Sequence, residues 1–172
     1  GHTTLVESTQ SDEFQSYYEW ELAISEAKDA GEVTEHVIPG DRFAEIGEEG
    51  TVRFTSGDLP FEITLHHVLK NCRMVRASDH GAGHAHAMMP EVQGAMLEPL
   101  QLNMDAGRNF IGAYATIKDT ATGQTTECIL WSRLRFPPTI DAGGKRWLLD
   151  LAHRRWKLPF TVVLDDFRRV LR

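Results

Sequence analysis

No run of apolar residues in this chain approaches the ~18 that a membrane-spanning helix needs. The opening residues hold no apolar stretch behind a basic start, so no secretory leader is expected either, and Gly1-His2 reads as the remnant of a cleaved tag. Cysteine is scarce: Cys72 and Cys128 stand alone, with no C-x-x-C and no C-x-x-C-H. That excludes a thioredoxin-type redox pair and covalent haem attachment. Two readings of the pair stay open, one disulfide closing a long loop in an oxidising compartment or two buried, small apolar side chains. H-E-x-x-H, G-x-S-x-G, the P-loop and G-x-G-x-x-G are all missing, so an enzyme would lack a recognisable nucleophile, base or cofactor cradle. Aromatic–basic strings of the RNA-binding type are absent as well, and no nucleic-acid partner is expected.

What is present is a polarised charge distribution. The net charge is −7, yet residues 1–60 carry 14 acids against 3 bases, while residues 131–172 carry 10 bases against 4 acids. Either the basic end is a patch for an anionic surface, or the two ends of one domain lie side by side and neutralise each other. The second reading is favoured.

Short apolar-alternating runs recur at roughly ten-residue spacing between Gly, Pro and Asp turns, which predicts a mainly β fold. Residues 1–172 read as one domain, an antiparallel β-sandwich or open barrel with at most one or two short helices. Ser11-Asp12-Glu13 has the form of a helix start, with a Ser cap and acids in the first turn. A short helical turn is therefore expected through Phe14, Tyr17 and Tyr18. Leu100, Leu102 and Met104 alternate as a strand would. Two runs nearly repeat: Leu59-Pro60-Phe61-Glu62-Ile63-Thr64-Leu65 and Leu158-Pro159-Phe160-Thr161-Val162-Val163-Leu164. Proline suits only the start, the edge or a bulge of a strand. In the first copy Phe61, Ile63 and Leu65 share a face, opposite Glu62, Thr64 and His66. The second copy is apolar on both faces and is expected to be the more buried of the two.

The richest side-chain constellation is the stretch His80, His84, His86, Met88 and Met89, folded about Gly81-Ala82-Gly83. Imidazole and thioether groups ligate haem iron, copper or zinc. His66 and His67, just upstream, would be additional ligands, although strand alternation sends them to opposite faces so that only one can serve a given site. The competing reading is a Gly/Ala-rich surface loop whose histidines bind nothing. A hydrolase remains a third idea if His153 or His36 meets a carboxylate in a deep pocket. Asp165-Asp166 reads as the capped end of a strand, since neighbouring strand carboxylates face opposite ways.

The run Lys157-Leu158-Pro159-Phe160-Thr161-Val162-Val163-Leu164-Asp165-Asp166-Phe167-Arg168 resembles the ResB-like (CcsB) family of system II cytochrome c biogenesis. Trp147-Leu148-Leu149 and Arg154-Arg155 stand where that family carries the preceding strand. The resemblance implies an extracytoplasmic (periplasmic-side) β domain excised from a longer cell-membrane protein. It implies a non-enzymatic role in scaffolding and haem handling, with a CcsA-type membrane subunit and apocytochrome c as partners. No cofactor is required on this reading, though haem or a transition metal could be handled. The family's haem-ligating histidines map to no residue here. The alternative is a periplasmic copper- or zinc-binding module built on the histidine-rich loop.

Overall fold

The computed structural model describes residues 9–79 and 89–164. The first strand, β1 (Thr9–Glu26), runs straight through the segment expected to open as a helix. Its serines serve the strand instead of a helix cap. Ser11 Oγ accepts from the Glu13 amide at 3.2 Å, and Ser16 Oγ accepts from the Tyr18 and Glu19 amides at 3.2 and 3.1 Å. A Ser hydroxyl bonding an amide two or three residues on is the same local chemistry whether a helix or a bulge follows. Here Ser16–Glu19 form an irregularity between the Gln15–Arg155 and Trp20–His153 pairs.

Among the described residues nine further strands follow. They are β2 (Glu35–Pro39), β3 (Thr51–Phe54), β4 (Phe61–Leu69), β5 (Cys72–Arg76), β6 (Ala95–Pro99), β7 (Gly112–Asp119), β8 (Thr125–Trp131), β9 (Thr139–Ala142) and β10 (Lys145–Leu164). Among the described residues the helical content is limited to 3₁₀ turns at Gly40–Arg42, Ala77–Asp79 and Ala106–Arg108. The fold is mainly β with antiparallel sheets, as the turn spacing predicts. The Leu100–Met104 stretch is a correction: the strand falls earlier, at β6, and Leu102 and Met104 are exposed. Alternation alone does not make a strand where no neighbour pairs with it.

One sheet has the order β2-β1-β10-β9, the other β3-β4-β7-β8, and β5-β6 form a separate hairpin. The two four-stranded sheets enclose the main core. Leu22, Ile24, Leu149 and Leu151 enter from one side, and Phe61, Ile63, Leu65, Ala115 and Leu130 from the other. Phe61 meets Trp147 edge to face at 5.5 Å. A second, smaller core lies on the outer face of β7 and β8, where the β5-β6 hairpin covers Tyr114 and Ile129 with Cys72, Met96 and Leu97. Gly112 permits that close approach: a Cβ there would stand 2.4 Å from the Cys72 sulfur and 2.9 Å from Leu97 Cδ1.

The cysteine question is settled by these two cores. Cys72 belongs to the small one and Cys128 to the main one, on opposite faces of one sheet, and both are free thiols. Burial pushes both thiols up to about 12, so they are inert packing groups.

The first and last described strands do lie side by side. β1 and β10 pair from Thr9–Leu164 to Glu26–Trp147. Acid meets base along this ribbon: Lys145 with Glu26 at 3.3 Å, Arg154 with Glu19 at 4.0 Å, and Arg155 with Glu21 at 2.7 Å. Glu21 is only 2% exposed, and the Arg155 guanidinium also reaches Glu35. A buried carboxylate needs this kind of partner to remain charged.

Candidate functional site

The predicted site residues separate. His80, His84, His86 and Met88 lie outside the described residues. Met89 is buried in the small core with Leu69, Met96 and Tyr114, so its thioether contributes packing. His36 sits on β2 opposite Ile24. His153 stacks on Trp20 with ring centroids 3.9 Å apart. Among the described residues no group of three or more His, Cys, Asp and Glu side chains is placed to hold a metal ion. No helix among them is long and apolar enough to cross a membrane.

His66 and His67 overturn the alternation argument. His66 pairs with Tyr114 and Leu69 with Gly112, so His67 and Val68 together face the single residue Ala113. This is a β-bulge, and its first residue, His67, has φ +47°. Histidine is one of the few non-glycine residues that enter this region at modest cost. The extra residue cancels the alternation, and both imidazoles emerge on the outer face of the sheet while Val68 returns to the main core. Their Nδ1 atoms stand 2.8 Å apart.

Neighbours hold the pair in place. The Tyr114 ring lies beneath it, stacked on His66 and edge-on to His67, each at 5.7 Å between centroids. Tyr114 is itself fixed, since its buried hydroxyl accepts from the Leu97 amide at 2.8 Å. On the far side of His66, Nε2 lies 3.4 Å from Thr116 Oγ1 and 3.5 Å from Glu127 Oε2. Thr116 donates to Glu127 Oε1 at 2.6 Å. Burial, reinforced by the neighbouring His66, lowers the pKa of His67, against the opposing pull of the Glu48 carboxylate. That direction favours the neutral imidazole at His67. Only the polar face of Glu62, Thr64 and His66 hinted at this cluster in the sequence; the bulge that adds His67 had no signal there.

Glu127 also lines a cleft of about 400 Å³ along the free edge of β8, with Met74, Val92, Thr126, Ile129, Pro138 and Ile140 around it. A smaller hollow of about 170 Å³ lies among Tyr17, Tyr18, Trp20, Lys70, Leu102 and Asn109.

The outer part of the β1-β10 ribbon is the other surface of note. β2 pairs only with Glu21–Ser25 of β1, and β9 only with Lys145–Leu148 of β10. Beyond them, among the described residues, the ribbon runs as two strands with both edges open. It exposes Tyr18 (76%), Phe160 (60%) and Val163 (54%). The second LPF copy is thus not the more buried one. Its register jumps from Ser11–Val162 to Glu13–Lys157, so Leu158–Thr161 form an irregularity opposite Asp12. Proline has no N–H for the ladder, and a bulge at an open edge accommodates it.

No family model matches the chain, and no curated protein matches it.

Proposed function

We propose that the chain is a non-enzymatic, extracytoplasmic β domain of a ResB-like cytochrome c biogenesis protein. It acts as a scaffold that docks a CcsA-type membrane subunit and apocytochrome c. The observation that carries the reading is the exposed apolar ribbon. The residues that resemble the family signature, Leu158 to Leu164, lie on its outer part, where Phe160 and Val163 face solvent. A two-stranded ribbon with open edges and bare aromatic and aliphatic side chains can receive a further strand or an apolar partner surface. The pairing of Thr9 with Leu164 also brings the first and last described strands to one end of the molecule, as a domain carried on two membrane segments requires.

The docking part is tested in the full-length protein by co-purification of the membrane subunit with the double variant Phe160→Glu, Val163→Lys. Loss of the complex with an unchanged circular dichroism spectrum is expected. Retention of the complex would remove this surface from the proposal. The haem-handling part rests on the residue chemistry of His80, His84, His86 and Met88. A haemin titration should give a Soret shift that disappears in the His80/His84/His86 triple alanine variant, and no shift at micromolar haemin eliminates that part alone.

The alternative, a periplasmic copper- or zinc-binding module, draws support from the convergence of His66 and His67. Metal analysis of protein purified without a nickel column separates it from the scaffold.

A further inference from the structure

We propose that the His66–His67 bulge is a copper(II) site, with Nδ1 of both imidazoles as cis ligands. The proposal uses neither the ResB-like reading nor the loop histidines. Its basis is the spacing of the two nitrogens. At metal–nitrogen bonds of ~2.0 Å, two nitrogens 2.8 Å apart subtend about 90° at the metal, whereas a tetrahedral ion needs them ~3.3 Å apart. A right angle between cis imidazoles is the geometry of a tetragonal ion, so copper(II) is favoured over zinc. The two protein nitrogens leave the remaining positions to water or to a donor from a binding partner.

Three features prepare the pair for this role. The first is the bulge, which places a non-glycine residue at φ +47° and turns the His67 ring beside that of His66; such bulges are used to re-aim side chains. The second is the proton balance. In the free protein one Nδ1 donates to the other, so one ring carries its proton there. When His66 is the donor, its proton must move to Nε2 to free the Nδ1 lone pair. Nε2 then faces two acceptors, Thr116 Oγ1 at 3.4 Å and Glu127 Oε2 at 3.5 Å. A carboxylate behind a ligating histidine selects this tautomer and strengthens the ligand. The proton is relocated within His66, or within the His67 ring to its own Nε2 when His67 is the donor, and none is lost. The third is access and charge. The His66 side chain is 18% exposed, Tyr114 forms a rigid floor, and the Glu127 and Glu48 carboxylates favour a cation.

Glu127 is a positioning residue in this scheme. The test titrates copper(II) alone into the full chain, followed by calorimetry and electron paramagnetic resonance. The His80/His84/His86 triple alanine background, with the Gly1-His2 start also removed, clears the competing copper ligands of the loop and of the N-terminal amine and imidazole. One copper equivalent with hyperfine coupling from two imidazole nitrogens is expected. His67→Asn keeps a residue that tolerates left-handed backbone, and it should weaken binding at least tenfold and leave coupling from one nitrogen. Glu127→Gln should retain two-nitrogen coupling but weaken binding by about 10–100-fold. Equal affinity and spectra in parent and His67→Asn would overturn the site, and so would a parent signal identical to free copper. Both results would show that the nitrogen–nitrogen contact is only a hydrogen bond closing the bulge. Failure of haemin binding in the same background would leave this result untouched, so the two ideas fail separately.

Discussion

The two LPF copies are nearly the same string in opposite environments. In the first, Phe61 and Ile63 are 1% exposed and Leu65 is fully buried, in a strand flanked on both sides. In the second, Phe160 is 60% exposed on a two-stranded ribbon. The difference does not come from the apolar residues. It comes from what surrounds the proline. Pro60 ends a turn whose carbonyl accepts from the Thr120 amide at 3.0 Å, so the following strand enters the sheet in register with β7. Pro159 stands inside a long strand, where it breaks the register with β1. The first copy is therefore structural material, and the second is surface offered to something else.

The sharpest break between the copies is energetic. Phe61→Ala should cost about 3–5 kcal/mol, because a buried aromatic leaves a cavity between two sheets. Phe160→Ala should change stability by no more than ~0.5 kcal/mol in the isolated chain. Denaturant unfolding of the two variants checks this. Equal losses would mean that the ribbon is packed in solution and would remove the docking argument.

The root of the ribbon gives a second, smaller effect. Arg155 stands where β10 leaves the sandwich, and its Nε holds the buried Glu21 carboxylate at 2.7 Å. Arg155→Ala strands that charge, a change that costs 3–5 kcal/mol for fully buried pairs. The Arg155 side chain is 34% exposed, so water can partly replace it and about 2 kcal/mol is expected. The double variant Arg155→Met, Glu21→Gln should recover much of the loss. If the double variant is worse than the single one, the pair is stabilising in itself and more than a compensation for buried charge.

How much of this was legible in the residues differs between fold and site. Gly, Pro and Asp turns at short intervals marked most strands, and the charge asymmetry foretold the β1-β10 pairing. Ser11-Asp12-Glu13 misled because a serine hydroxyl serves a helix start and a strand irregularity equally well. The burial of the second LPF copy was misjudged because apolar content on both faces does not supply a covering layer. The histidine pair was misread for a related reason. Alternation is a property of a regular strand, and the bulge at His67 is set by the pairing of β4 with β7, which no local pattern announces.

The smallest predicted effect concerns the start of the first copy. Phe61 lies opposite Asp119 in register, and Asp119 ties two turns together. Its Oδ1 accepts from the Ala121 and Thr122 amides at 2.8 and 3.0 Å, and its Oδ2 from the Gly143 amide at 3.1 Å. The amides of Thr122 and Gly143, in that order, hold its pKa below the ordinary 3.8. A carboxylate whose folded value is depressed adds stability that is fully present above its unfolded value and is lost as pH falls through the folded value. Asp119→Asn removes the charge and keeps the shape. It should therefore destabilise the protein modestly at about pH 7, and the gap between variant and parent should narrow as pH falls from the ordinary 3.8 through the depressed folded value. Urea midpoints measured across that range test the assignment. A gap that stays constant with pH would assign the effect to lost hydrogen-bond geometry, and the charge at this corner would then contribute nothing to seating the first copy.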